Sequence, residues 1–108
     1  MGMAQVDREF VEYVIDQIAD PLVVAKAMFG GFGLYRDGQF FGIVDDGVLY
    51  FKTNSRTKVW YVGKGMDPFR PSPTQTLKNY FEVPEYVLDD REELATRARE
   101  AWSVDMKW

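Results

Sequence analysis

Two aspartate–glycine pairs placed between apolar segments constrain the fold of this chain more than any other feature. Asp37-Gly38 and Asp46-Gly47 are residue pairs that tight hairpin turns favour, because both central positions of such turns need a positive φ. They separate three segments rich in aromatic and β-branched residues, at 26–35, 39–44 and 48–52, which we expect to be strands. The sequence therefore predicts a three-stranded antiparallel meander.

A cluster of glycines interrupts the first predicted strand. Gly30, Gly31 and Gly33 favour a β-bulge, since glycine inside a strand usually marks a bulge or a close backbone approach. The spacing does not fit a dinucleotide-binding loop, whose third glycine would fall at Arg36. We therefore expect structural roles for the glycines of this cluster and of the turns, and for a proline that ends a later strand: Gly30, Gly31, Gly33, Gly38, Gly47 and Pro84.

Helical periodicity and capping residues predict three helices. Residues 6–18 repeat apolar side chains along one face, and Asp7 is the expected N-cap. A short helix at 56–63 is expected to follow a cap at Asn54-Ser55. The last helix begins at a capping box headed by Asp90.

The first part of the segment between the second and third predicted helices is expected to have little regular structure. Residues 66–76 contain three prolines, which favour a loop with a short edge strand at Phe69. A strand at 77–83 follows and ends at Pro84. The whole pattern predicts one two-layer α+β domain spanning residues 1–108, with helices packed on an antiparallel sheet.

The composition excludes several kinds of catalytic and metal site. The chain has no cysteine and no histidine, which rules out thiolate nucleophiles, zinc–cysteine clusters and Ser-His-Asp chemistry. We therefore expect a non-enzymatic protein without catalytic residues, metal ligands or cofactors, although an oxygen-only site for Mg²⁺ or Ca²⁺ stays open. The sequence shows no membrane-spanning stretch and no targeting pattern, so we expect a cytoplasmic location and no membrane partner.

Positive charge is concentrated in the middle of an otherwise acidic chain. The net charge is −4, yet residues 51–80 hold six basic side chains and one acidic side chain. Basic groups interleaved with aromatic rings suit either the polar rim of a protein interface or single-stranded nucleic acid. The candidate binding residues are Arg56, Lys58, Lys64, Arg70 and Lys78.

Several motifs occur together in an order known from one bacterial family. They are MFGGFGLY at 28–35, FGIV at 41–44, LYFK at 49–52, GM at 65–66, PF at 68–69, YFEVP at 80–84 and VLDD at 87–90. Over roughly residues 7–102 the chain resembles the N-terminal domain of the TfoX/Sxy regulators of natural competence. It differs at 94–98, which read LATRA where the family often has a tryptophan.

The resemblance implies both a fold and a role. The implied fold is helix, three strands, helix, two strands and helix, like that of type III secretion chaperones. Full-length members carry a second, C-terminal domain and act with the cyclic-AMP receptor protein at competence promoters. The resemblance gives this domain no catalytic residue.

Three classes of function stay open. The first is a non-enzymatic adapter domain that acts through protein contacts in transcription control of DNA uptake. The second is direct nucleic-acid binding through residues 51–80, and the third is a small-ligand or enzymatic role in a pocket beneath the glycine bulge. A homodimer is a further hypothesis, because exposed sheet edges often pair symmetrically.

Overall fold

The computed structural model describes residues 3–28 and 30–104. These residues form four helices and six strands: α1 (Met3–Ile18), β1 (Val23–Met28), β2 (Gly31–Arg36), β3 (Gln39–Asp45), β4 (Val48–Lys52), α2 (Lys58–Gly63), β5 (Pro68–Ser72), β6 (Gln75–Glu82), α3 (Glu85–Leu88) and α4 (Arg91–Trp102). The strands form one antiparallel sheet in the order β1-β2-β3-β4-β6-β5. The α+β class is confirmed, with one more strand in the first half than expected and an additional short helix, α3.

The two aspartate–glycine turns adopt the backbone conformation that their residues favour. Asp37 and Gly38 have φ values of 51° and 83°, and Asp46 and Gly47 have values of 52° and 76°. Positive φ at both central residues twists the chain in the sense that matches a right-handed hairpin. The turns therefore fix the pairing of β2 with β3 and of β3 with β4.

The prediction of a single strand at 26–35 is wrong, because these residues belong to two strands. β1 ends at Met28 and β2 begins at Gly31, and the two pair from Val23↔Arg36 to Met28↔Gly31. Gly30 has a φ of 82° and belongs to the connection, while Phe29 lies outside the described residues. The glycines thus mark a turn and not the expected bulge.

A β-bulge does occur, but in β3. Leu34 pairs with Gly42 and Tyr35 pairs with Phe40, which leaves Phe41 as an extra residue between them. A Cβ on Gly42 would lie 3.1 Å from the carbonyl oxygen of Tyr50. Glycine at this position therefore lets the bulged strand keep its close approach to β4.

All four helices contribute to a single core on one side of the sheet. Buried side chains from every helix and from five strands form one cluster: Val11, Val14, Ile18, Val23, Phe32, Leu34, Phe41, Val44, Leu49, Phe51, Tyr61, Phe81, Val83, Val87, Leu94, Ala98 and Ala101. The Phe41 and Trp102 rings pack nearly perpendicular to each other, with 5.3 Å between the two ring centres. This arrangement confirms that the helices form one layer packed on the sheet.

Asp7 is not the N-cap that the sequence suggested. α1 already extends from Met3, and Asp7 lies within it, only 1% exposed. Its carboxylate accepts hydrogen bonds from the backbone N–H groups of Gly47 and Asp46, at 2.7 and 3.1 Å. Asp7 therefore ties α1 to the turn between β3 and β4.

The cap predicted at Asp90 is confirmed, whereas α2 begins at Lys58, two residues later than expected, and its N-cap is Thr57 rather than Asn54 or Ser55. The Asp90 side chain accepts from the N–H of Glu93 at the start of α4. The Asn54 side chain accepts from the N–H groups of Arg56 and Thr57 in the turn that leads into α2. Pro84 is the residue before α3 and follows the end of β6.

The second half of the sheet is more extended than the prolines suggested. The strand expected at Phe69 is present as β5, whereas residues 75 and 76, predicted to be loop, already belong to β6. The register of β5 against β6 shifts on both sides of Phe69. This irregular hairpin forms the second edge of the sheet.

Candidate functional site

The face of the sheet opposite the helices carries the candidate site. Alternation along a strand sends neighbouring side chains to opposite faces, so Leu34 and Val44 in the core place Tyr35 and Ile43 on the other side. Ile43 and Phe69 are buried, yet neither belongs to the core beneath the helices. We call this side the open face.

An apolar groove crosses the open face between β3 and the hairpin of β5 and β6. It is a cavity of about 440 Å³. Seven described residues line it: Met28, Phe40, Ile43, Phe69, Pro71, Gln75 and Leu77. Gln75 supplies the one polar side chain in this set, so the groove is suited to an apolar group and offers few hydrogen bonds.

Glycine in β2 makes room for the groove wall. A Cβ on Gly33 would lie 2.5 Å from the Met28 sulfur and 3.0 Å from the Phe40 ring. Without a side chain there, Met28, Phe40 and Tyr35 close over the backbone of β2. Gly33 therefore serves the open face, which the sequence pattern alone did not show.

Aromatic rings continue across the open face from the groove. Phe40 lies between Tyr35 and Tyr80, with ring centres 5.1 and 5.4 Å away. A second pair, Tyr50 and Phe69, has its centres 4.6 Å apart. Offset and tilted ring pairs at these distances are favourable beyond the area they bury.

Charge is divided between the two ends of the open face. At one end the Lys26 ammonium lies 4.9 Å from the centre of the Tyr35 ring, within the range of a cation–π contact. At the other end burial, followed by the carboxylates of Glu82, Asp45 and Asp46, raises the pKa of the Tyr50 hydroxyl. Tyr50 thus lies beside an acidic margin of the open face.

The comparison with family models decides the identity of this fold. The model of the TfoX N-terminal domain matches residues 17–104, which include all six strands and α2 to α4. The chain belongs to the TfoX N-terminal domain family. A search of curated proteins found no match.

The five basic residues predicted to bind a partner fall into two groups in this TfoX domain. Lys64 lies 5.5 Å from the Trp60 ring and 5.6 Å from the Tyr86 ring, and Lys58 lies 5.9 Å from the Phe81 ring. These two lysines belong to α2 and its C-cap, and Arg56 precedes the helix.

The second group lies beside the groove. Arg70 is on β5 and Lys78 is on β6, and both side chains are exposed. Of the five predicted residues, these two belong to the hairpin that supplies Phe69, Pro71 and Leu77 to the groove. Contiguity in the sequence therefore does not make residues 51–80 one surface of the TfoX domain.

A second, larger depression lies on the helix layer and is a weaker candidate. It has a volume of about 590 Å³ and lies between the end of α1 and α4, with Arg91, Glu92 and Arg99 among its lining. Arg91 already donates to the backbone carbonyl of Asp16 at 2.8 Å. The depression is shallow and its charged side chains are exposed, so we favour the groove despite its smaller volume.

Two features are absent from the described part of the chain, a metal-binding group of side chains and a membrane-spanning helix. Within residues 3–28 and 30–104, no three acidic side chains converge in a way that could hold a metal ion. Among the helices of the same residues, none is long and apolar enough to cross a membrane.

One feature of the sequence, the apolar composition of β3, indicates the groove. Residues 40–44 form an uninterrupted apolar run, FFGIV, whereas a strand with one wet face alternates apolar and polar residues. Such a run indicates a strand that is covered on both faces. In the TfoX domain the helices cover one face of β3, and the groove walls cover the other.

Proposed function

We propose that this TfoX domain is a non-enzymatic adapter that binds a protein partner through the groove on its open face. The groove is the observation that supports this role. An adapter needs a surface that holds another protein and needs no reacting groups. A cavity lined by apolar side chains and one amide meets that requirement.

The size of the groove suits an anchor side chain of the partner. A cavity of about 440 Å³ has room for a large apolar or aromatic residue. Complete burial of such a side chain contributes about 1.5–3 kcal/mol. Arg70 and Lys78 on the adjoining hairpin would form part of the polar rim that surrounds such anchors in protein interfaces.

Family membership supports a partner in transcription control. The proposed process is the regulation of DNA uptake genes, as in the TfoX/Sxy competence regulators that the sequence resembles. The proposed partner is a protein of the transcription machinery or one of its regulators. This role places the domain in the cytoplasm.

The proposal is tested by calorimetric titration with purified cyclic-AMP receptor protein and with RNA polymerase. Leu77→Lys puts a charge into the groove at a side chain that is 36% exposed, so the fold should tolerate it. We expect the affinity to fall about tenfold or more, which corresponds to 1.4 kcal/mol. Val62→Lys on α2, where Val62 is 58% exposed, is the matched control and should change affinity less than twofold.

Two results would contradict the adapter proposal. One is the absence of binding to both proteins at micromolar concentrations. The other is binding that Leu77→Lys and Val62→Lys weaken equally, since the groove would then not be the contact surface.

Direct binding of single-stranded nucleic acid is the second candidate. The row of Tyr35, Phe40 and Tyr80 beside Lys26 favours it, because bases stack on aromatic side chains next to basic groups. Fluorescence anisotropy with single-stranded DNA at two salt concentrations separates the candidates. Nucleic-acid binding predicts an affinity that falls steeply with salt and with Lys26→Glu, whereas the adapter proposal predicts no change in anisotropy at either salt concentration.

A further inference from the structure

The outer edge of β1 is open to pairing with another strand. β1 is the first strand of the sheet, and within the described residues no strand pairs with its outer side. Its sequence, VVAKAM, contains no proline and a single charge, and Val24 is 48% exposed. The opposite edge differs, because β5 contains Pro68 and Pro71, which lack the N–H donors that an added strand needs.

The hydrogen bonds of β1 show which backbone groups point outward. The N–H of Asp37, the residue after β2, donates to the carbonyl of Leu22 at 3.2 Å, so the carbonyl of position 22 points toward the β2 side of the strand. Partners alternate along an antiparallel strand. Val24, Lys26 and Met28 therefore bond to β2, while Ala25 and Ala27 direct both their N–H and C=O groups to the open edge. Val23 directs only its C=O there, because its N–H donates to the carbonyl of Asp20 at 3.1 Å.

We propose that two copies of this chain pair through these edges, antiparallel, about a two-fold axis at Ala25. Ala25 then faces the partner's Ala25, and Val23 faces the partner's Ala27. Three outward positions of each strand meet those of the other. About four hydrogen bonds form, because the Ala25 pair exchanges two and each pairing of Val23 with Ala27 supplies one, from the Ala27 N–H to the Val23 carbonyl. The two six-stranded sheets become one continuous sheet.

This register is the best of the symmetric alternatives. Residues that face each other across a sheet lie on the same face, and only outward-pointing groups can bond. An axis at Lys26 would place two lysines directly opposite each other, which is unfavourable. An axis at Val24 would leave Ala27 without a partner position in β1. The axis at Ala25 uses every outward position and sets Val24 against the partner's Lys26.

The side chains of β1 suit this arrangement. On the helix side, Ala25 and Ala27 are small and allow the strands to approach closely. On the open face, Val24 would lie against the aliphatic stem of the partner's Lys26. The two open faces would then be continuous, with one groove on each side of the axis. This proposal is independent of whether the groove binds a protein.

Opposite charges placed at one position test the register. Val24→Glu would set a carboxylate opposite the partner's Lys26 twice per dimer, whereas Val24→Lys would set like charges there. We expect their dimer dissociation constants, measured by sedimentation equilibrium, to differ by about tenfold or more, with the glutamate variant tighter. Position 24 is half exposed, so circular dichroism should show the same fold for both.

Cysteine cross-linking gives a second, independent readout. The chain has no cysteine of its own, and a facing pair whose residues do not bond to each other has its Cα atoms about 4.5 Å apart. The double variant with Val24→Cys and Lys26→Cys should therefore form interchain disulfides under mild oxidation. Either single variant should not, because like positions are offset by two residues and lie beyond disulfide reach.

The proposal is overturned by a monomer mass at every concentration up to several hundred micromolar. It is equally overturned by a dimer whose dissociation constant is the same in Val24→Glu and Val24→Lys, since that dimer would use another surface. Cross-linking of the single cysteine variants, without that of the double variant, would disprove the register.

Discussion

Replacing Asp7 by alanine should destabilise the domain more than most single substitutions. Asp7 is 1% exposed, and its two carboxylate oxygens accept from Gly47 N–H at 2.7 Å and from Asp46 N–H at 3.1 Å. A hydrogen bond to a charged group contributes about 1.5–3 kcal/mol. Two such bonds connect α1 to a turn that lies 39 and 40 residues away in sequence.

Two effects make the loss of unfolding free energy in Asp7→Ala smaller than the sum of the two hydrogen bonds. Asp46 and Gly47 are exposed at the turn, so water can reach their N–H groups once the carboxylate is gone. Removal of Asp7 also relieves its repulsion of Asp45, one of the causes, after burial, that raise the pKa of that carboxyl. The hydrogen bonds still dominate, and we expect Asp7→Ala to lower the free energy of unfolding by about 3 kcal/mol.

Urea unfolding monitored by tryptophan fluorescence measures this loss. With a denaturant slope of about 1.5 kcal/mol per molar, the midpoint should fall by about 2 M. Asp7→Asn should lose less, because the amide oxygen can still accept one of the two bonds. Glu12→Ala, on the exposed side of the same helix, is the control and should change stability by less than about 0.5 kcal/mol.

The reasoning fails if Asp7→Ala unfolds at the same urea concentration as Glu12→Ala. Hydrogen exchange adds a local check. The amides of Asp46 and Gly47 should lose protection in Asp7→Ala and keep it in the control.

Three further substitutions probe charge and close packing. Asp45→Asn should stabilise the domain by about 0.5 kcal/mol at pH 7, because burial, then Asp7 and Asp46, raises the pKa of Asp45 and so disfavours its charged form. That gain should disappear as the pH falls below the ordinary aspartate range near 4, which urea unfolding at several pH values would show. Asp20→Asn should have the opposite effect on stability. A backbone N–H that donates to Asp20, followed by an arginine, lowers the pKa of Asp20. The variant should therefore be less stable than the wild type at pH 7, and this difference in stability should vanish once the wild-type Asp20 is protonated. Gly31→Ala should cost about 3 kcal/mol, since its Cβ would collide with the backbone carbonyl of Val44, and thermal unfolding that shows no loss would contradict this.

The features that depend on neighbouring residues could be predicted from the sequence. The Asp37-Gly38 and Asp46-Gly47 turns need positive φ, which aspartate and glycine supply locally. The Asp90 cap is likewise a contact across three residues. Such features are set by a few adjacent residues and hold in almost any tertiary context.

Where the same residues fit two local structures, the sequence alone does not determine which of the two forms. Gly30 and Gly31 are compatible with either a turn or a bulge, and the pairing of β1 with β2 decides in favour of a turn. Asp7 has the chemistry of an N-cap, yet its partners are distant in the sequence and become neighbours only when the meander packs on α1. A tertiary contact selects the structure in both cases.

The candidate site was the least predictable part. Its walls come from β1, β3, β5 and β6, so no continuous segment contains it. The basic segment at 51–80 is continuous in the sequence but does not form one surface. Lys64 caps α2, whereas Arg70 and Lys78 lie on the β5–β6 hairpin. Charge in a sequence window predicts a surface only when the fold keeps that window together.

Chemical-shift mapping tests the proposed role of the groove most directly. Isotope-labelled domain is titrated with cyclic-AMP receptor protein, with RNA polymerase and, separately, with single-stranded DNA, and the amide spectrum is followed. The account predicts that the proteins shift or broaden the amides of Met28, Ile43, Phe69 and Leu77, while the DNA leaves them unchanged. Perturbations confined to α1 and α4, or a response to the DNA alone, would contradict it.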